Sequence, residues 1–189
     1  ENFVDFSRRH ANYDCSRNNL SSRSYRMVKR VFFSFHYGND NWRASQIRNI
    51  GMMDGNPVAS DNDWESIKSR GDAAIRNWIN RQMEGRSTVV VLIGSQTYGR
   101  KWINYEIKQG WTSGKALLGV YVHQLKNRLG HTDVQGNNPF ADFNISGVGL
   151  DRIVPLLNVG NIDSKTAYNR IAANLPNFIE AAIDIRRKY

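Results

Sequence analysis

The feature that most constrains this chain is a set of short apolar runs, each followed by residues at helical spacing. Val31-Phe32-Phe33-Ser34-Phe35, Thr88 to Ile93 and Ala116 to Val122 are rich in β-branched and aromatic residues and read as strands. A strand with one wet face alternates apolar and polar side chains. Val89-Val90-Val91-Leu92-Ile93 does not alternate, which predicts a parallel strand covered on both faces. After the first run, Asp40 or Asn41 is the expected cap of a helix to about Ile50, with Trp42, Ile47 and Ile50 on its inner side. Gly51 to Gly55 holds a brief second strand. Asp63 is then expected to cap a longer helix to about Met83, with Trp64, Ile67, Ala74, Ile75, Trp78 and Ile79 in helical period. Gly71 lies inside that helix at a cost of about 1 kcal/mol. A further helix starts at Trp102 and ends near Gly114, Asp151 to Leu157 reads as a short final strand, and residues 163–188 read as a helix kinked at Pro176. Strand and helix alternate throughout, so the expected fold class is α/β: a parallel sheet with helices on both faces.

Composition narrows the function classes. The 189 residues are 40% hydrophobic and 11% aromatic, as in an ordinary globular protein, and are enough to bury a proper core. No apolar run approaches the roughly 20 residues that cross a bilayer, and no secretory h-region is present, so a cytoplasmic location without a membrane partner is expected. Cys15 is the only cysteine, which excludes an internal disulfide framework and a cysteine-based metal site. The net charge of +9 is concentrated at the ends: residues 1–30 carry a balance of +4, and Arg186-Arg187-Lys188 adds a second cluster. Residues 1–28 are polar and lack a sustained period, so they read as an N-terminal arm or extension, and residues 29–189 as the domain. Met27 is a candidate internal start. Basic surface attracts polyanions, yet basic termini are ordinarily solvated, so nucleic acid is not the expected partner.

The candidate site lies around Trp102-Ile103-Asn104-Tyr105-Glu106, just after the third strand and the loop Gly94-Ser95-Gln96-Thr97-Tyr98-Gly99. Residues four apart on a helix share a face, so the Trp102 indole and Glu106 carboxylate lie together near the carboxyl end of a strand. Open α/β sheets bind ligands there. A flat aromatic beside an acid suits a nucleotide; a half-buried Trp and a solvated Glu fit the same spacing. The tip of the first strand adds Ser34, as a hydrogen-bond donor, and His36, which titrates near neutral pH. A carboxylate such as Glu106 can stabilise the positive charge that builds on a sugar when an N-glycosidic bond breaks. His10, His36, His123 and His131 show no metal-ligand spacing with acids, so no metal is expected. Walker A, Gly-x-Gly-x-x-Gly and Gly-x-Ser-x-Gly sequences are absent, and Gly94-Ser95 stands where a receiver domain would carry its phosphoacceptor Asp. The long segment His123 to Gly149, with Asn138-Pro139-Phe140 inside it, is of a length often tied to function.

Several of these segments together resemble a known family. Lys29-Arg30-Val31-Phe32-Phe33-Ser34-Phe35-His36-Tyr37 is similar to the first box of TIR domains. Val91-Leu92-Ile93-Gly94-Ser95-Gln96-Thr97 and Trp102-Ile103-Asn104-Tyr105-Glu106-Ile107 resemble the third-strand and Trp-x-x-x-Glu boxes. With Ser60-Asp61-Asn62-Asp63-Trp64-Glu65 and Asn138-Pro139-Phe140, they resemble the bacterial and archaeal TIR-like family, which includes the TIR proteins of Thoeris antiphage defence. The resemblance spans residues 29–189 and implies a flavodoxin-like three-layer sandwich. It further implies cleavage of NAD at the nicotinamide–ribose bond, with Glu106 as the essential catalytic acid and Trp102 one turn before it. Ser34, Phe35, His36 and Ser95 would line the cleft. NAD would enter as substrate, with no bound cofactor, and the ADP-ribose-type product would signal to a downstream effector protein. Self-association through TIR surfaces is also implied. Many TIR domains serve only as interaction modules, so a non-catalytic module in signal transduction stands as the alternative. Ile103 departs from the Cys or small residue usual after the Trp.

Overall fold

The computed structural model describes residues 29–50, 53–55, 66–145 and 147–189. The arm 1–28, the Ser60–Glu65 motif and the expected Asp63 cap lie outside the described residues. Strand β1 (Lys29–Ser34) leads into helix α1 (Tyr37–Arg48) and strand β2 (Met53–Gly55). Helix α2 (Asp72–Met83), strand β3 (Thr88–Ile93), helix α3 (Lys101–Thr112) and strand β4 (Ala116–Tyr121) follow. After a long loop come the two-residue strands β5 (Asn144–Ile145) and β6 (Val148–Gly149), helix α4 (Leu150–Ile153), strand β7 (Leu156–Leu157) and helix α5 (Ser164–Arg186).

The main sheet is parallel throughout, in the order β2-β1-β3-β4-β7, and β5 and β6 pair separately as an antiparallel ladder. β3 and β4 occupy its middle and are buried at every position, as their unbroken apolar runs require. Side chains alternate across the sheet, and each face has its own core. Phe33, Val90, Leu92 and Leu118 pack against Ala44 and Ile47 of α1 and Ile171, Leu175 and Ile179 of α5. On the other face, Phe32, Val89, Val91 and Ile93 pack against Ile75 and Ile79 of α2 and Ile103 and Ile107 of α3. Helix, sheet and helix make the expected three-layer sandwich. Ser34, two residues after Phe32, falls on the α3 face. Gly110 lets α3 approach closely: a Cβ there would sit 2.7 Å from Val89 Cγ2.

Several local expectations are corrected. α1 starts at Tyr37, with His36 as its N-cap residue, so Asp40 lies in the first turn rather than at the cap. The inward stripe is therefore Asp40, Arg43, Ala44 and Ile47, and Trp42 turns out to solvent with 52% of its surface exposed. The long helix expected to reach Met83 is interrupted at Gly71, whose φ of +82° belongs to the left-handed region and cannot continue a right-handed helix. α2 therefore begins afresh at Asp72. Asp151 to Leu157 is a helical turn plus a two-residue strand, since Asp151 and Arg152 belong to α4. As expected, a long helix, α5, closes the chain from Ser164 to Arg186 with Pro176 inside it, and its N-terminus is capped by Asp163, whose carboxylate accepts from the N–H groups of Lys165 and Thr166.

Candidate functional site

The sheet order makes the chain turn from β1 outward to β2, and from β3 the opposite way to β4. The carboxyl ends of β1 and β3 therefore flank a topological switch point, with α1 leaving on one face and α3 on the other. This is where an open α/β sheet forms its ligand crevice. Ser34, at the end of β1, donates its hydroxyl proton to Glu106 Oε2 at 2.5 Å. Ser34 is 1% exposed and Glu106 9% exposed. Burial pushes the Glu106 pKa up to about 8, against the opposing pull of the Ser34 hydrogen bond. A carboxyl group poised near neutrality at a crevice has the character of a catalytic group. Thus the solvated-Glu alternative fails: a long-range contact between β1 and α3 takes Glu106 out of water.

The other candidates fall in different places. His36 is half-buried; its carbonyl accepts the N–H groups of Asn39 and Asp40, and its Nδ1 is buried without a partner. Burial, then the nearby charge of Arg100, lowers its pKa, so the imidazole is neutral at pH 7 and free to donate or accept. Phe35 turns to the opposite face, where it stacks on Tyr37 with ring centres 6.3 Å apart and packs against the α1–α5 core. Trp102 is half-buried on the α3 side, edge-on to Tyr105 at 6.1 Å, with Lys101 Nζ 4.9 Å from its ring centre. Ser95 does not meet Glu106; its hydroxyl donates to Asp133 Oδ2 at 2.6 Å.

That last contact belongs to a polar cluster the sequence reading missed. Arg43, 2% exposed, pairs with Asp40 Oδ1 at 2.9 Å and donates through Nε to the Leu125 carbonyl at 2.8 Å. Asp40 is wholly buried against Gly94, where a Cβ would sit 2.2 Å from its Oδ2. Burial raises the Asp40 pKa in spite of Arg43. Asp133 is held the other way: burial opposes its charge, but hydrogen bonds from Ser95 and Asn39, the Val134 N–H and the Arg43 charge together keep its pKa below the usual carboxylate value. The Asp40–Arg43 pair was legible as an i, i+3 spacing, although such pairs are ordinarily solvated. Nothing near Asp133 in the sequence signals its partners. His123, at the end of β4, is also buried, edge-on to Tyr121 at 5.9 Å, and burial lowers its pKa.

A separate open groove of about 790 Å³ lies between α1, the post-β4 loop and the start of α5, lined among others by Trp42, Gln46, Lys126, Ile162 and Tyr168. None of the candidate residues lines it. Among the described residues no three His, Cys, Asp or Glu side chains cluster as for a metal ion, and no helix is long and apolar enough to cross a membrane.

Comparison with known proteins identifies the family. The family model for the TIR-like domain of the Thoeris protein ThsB matches residues 32–127, just over half of the chain. That span contains Ser34, His36, Ser95, Trp102 and Glu106. The chain is also similar to ThsB1 of Bacillus cereus (strain MSX-D12), named as a candidate cyclic ADP-D-ribose synthase, with 36% identity over 119 residues. The similar stretch takes in 60% of this chain and 62% of the relative, so the chain spans about three-fifths of the length of the protein it matches.

Proposed function

The chain belongs to the TIR-like domain family of the Thoeris protein ThsB, and on that premise we propose that it cleaves the nicotinamide–ribose bond of NAD, with Glu106 as the essential acid. The observation that carries this reading is the buried Ser34–Glu106 pair at the switch-point crevice. In the proposed reaction the C1′–N bond breaks and its electron pair leaves on the nicotinamide nitrogen, which becomes neutral. C1′ is left as an oxocarbenium-like centre that a nucleophile then captures. Ionised Glu106 stabilises that charge in a site with little water to screen it. The positively charged nicotinamide ring entering beside it favours ionisation of a carboxyl that burial otherwise holds neutral. Ser34 fixes the orientation of the carboxylate, and neutral His36, with Arg100 near it, offers polar contacts at the crevice mouth. Trp102 contributes an aromatic edge on the same helix.

By likeness to ThsB1, the nucleophile belongs to the same molecule and the product is a cyclic ADP-ribose-type signal read by a downstream effector, in a defence or signal-transduction pathway. Self-association through TIR surfaces forms part of the same reading. Nicotinamide release from NAD, followed by chromatography for the parent chain and Glu106→Gln, tests the reading. Release that disappears in the variant supports it. A parent chain that leaves NAD intact, at high concentration and with extract of infected cells added, refutes the enzymatic claim and leaves the interaction module.

A further inference from the structure

The loop from His123 to Phe143 joins no strand ladder among the described residues, yet it is fastened at several points. Arg43 donates to the carbonyls of Leu125 at 2.8 Å and His131 at 3.4 Å. The Asp133 N–H donates to the His123 carbonyl at 2.8 Å. Gly136 crosses directly over the end of β3, where a Cβ would sit 2.0 Å from the Gly94 carbonyl oxygen. The Asp133 carboxylate joins the three elements that meet there. Its Oδ2 accepts from Ser95 Oγ at 2.6 Å and Asn39 Nδ2 at 3.0 Å and lies 3.8 Å from Arg43 Nη1, while its Oδ1 accepts from the Val134 N–H at 2.8 Å. Asn39 comes from the first turn of α1, Ser95 from the end of β3 and Asp133 from the loop.

This arrangement fixes a direction as well as a position. A serine hydroxyl has one proton and two lone pairs. Ser95 gives its proton to Asp133 and accepts from Asn39 Nδ2 at 3.4 Å, so it offers a ligand in the crevice one remaining lone pair. It can accept from a ribose hydroxyl or a carboxamide N–H and cannot donate to a phosphate oxygen. Ser34, whose proton goes to Glu106, is set in the same way. Asp133 lies outside the segment matched by the family model.

We propose that Asp133 is a positioning residue: it clasps the 123–136 loop to the start of α1 and the segment just after β3 and orients Ser95 as a hydrogen-bond acceptor for the hydroxyl or amide donors of the substrate. The substrate part of this inference rests on the proposed use of NAD; the clasp does not. The first measurement is hydrogen exchange. Asp133→Asn is nearly isosteric, and Arg43 still holds two loop carbonyls, so the fold persists. The amides of 123–136 should then exchange about tenfold faster, the equivalent of one charge-assisted hydrogen bond, with β3 and β4 unchanged.

The second measurement is kinetic. Asp133→Asn should raise KM for NAD about tenfold and leave kcat within about threefold, because ground-state positioning is lost and Glu106 is untouched. Ser95→Ala should raise KM similarly, but by less than about twofold when added to Asp133→Asn, since the two residues act as one unit. Unchanged exchange in 123–136 overturns the clasp. A fall in kcat that tracks lost thermal stability at constant KM, or effects of the two substitutions that multiply, overturns the positioning role. A parent chain that never consumes NAD refutes the proposed function and with it the substrate part, while hydrogen exchange still decides the clasp.

Discussion

Ser34→Ala probes the catalytic pair without touching the carboxylate. Among the described residues, the hydroxyl of Ser34 supplies the hydrogen bond opposing the burial that holds the Glu106 pKa at about 8. At that value about one molecule in ten carries the ionised carboxylate at pH 7. A hydrogen bond to a charged group is worth about 1.5–3 kcal/mol, and one pKa unit corresponds to about 1.4 kcal/mol. Removing the hydroxyl should therefore raise the Glu106 pKa further and cut the ionised fraction at pH 7 by about 10- to 100-fold. kcat/KM for NAD should fall by the same factor at pH 7 and recover to within a few-fold of the parent near pH 10. The assay is the initial rate of nicotinamide release across pH 6 to 10, with the parent and variant side by side. A deficit of the same size at every pH would mean that Ser34 acts through geometry alone. No deficit at pH 7 would mean that the Ser34–Glu106 contact has no part in the chemistry, and either result refutes the reasoning.

Two further outcomes follow from the same geometry. Glu106 ionises near 4.5 when unfolded and near 8 when folded, so between those values the folded state keeps a proton the unfolded chain has lost. Its contribution to stability is complete below about pH 4.5 and is lost as pH rises through about 8, a difference of about 5 kcal/mol. Glu106→Gln, which stays neutral, should thus raise the melting temperature clearly at pH 9 and little at pH 5; calorimetry at both values checks this, and a pH-independent change would contradict it. Gly94→Ala would place a Cβ 2.2 Å from Asp40 Oδ2, on a carboxylate whose other oxygen, Oδ1, is held by Arg43, so overpacking should cost about 1–3 kcal/mol, read as a lower denaturant midpoint.

Three local features turn on contacts that spacing does not encode. Spacing places Trp42 inward, as an apolar side chain on a helix usually faces the core. The inner stripe of α1 is instead built on Asp40 and Arg43, whose charges are buried because each supplies the other's partner. An ion pair of this kind cannot be separated from a solvated pair by spacing alone. The interruption at Gly71 was equally hidden: glycine permits a positive φ, but only the packing of Ile75 and Ile79 against the sheet settles where α2 must start. The family resemblance places Phe35 at the cleft beside Ser34 and His36, whereas its ring packs against the α1–α5 core.

What this chain's residues determined alone is the architecture and the location of the crevice. Unbroken apolar runs demand cover on both faces, alternation of period two with period 3.6 demands a parallel α/β sheet, and such a sheet opens its ligand crevice at the carboxyl ends of its strands. Glu106 and Ser34 were both visible from those rules as separate candidates. Only the tertiary structure decided that they touch, because the contact joins residues 72 apart and depends on how closely α3 settles on β3 over Gly110. It decided likewise that Ser95 turns to Asp133, 38 residues on, rather than toward the catalytic carboxyl. Hydrogen bonds across such separations are selected by packing and burial, which no local spacing encodes.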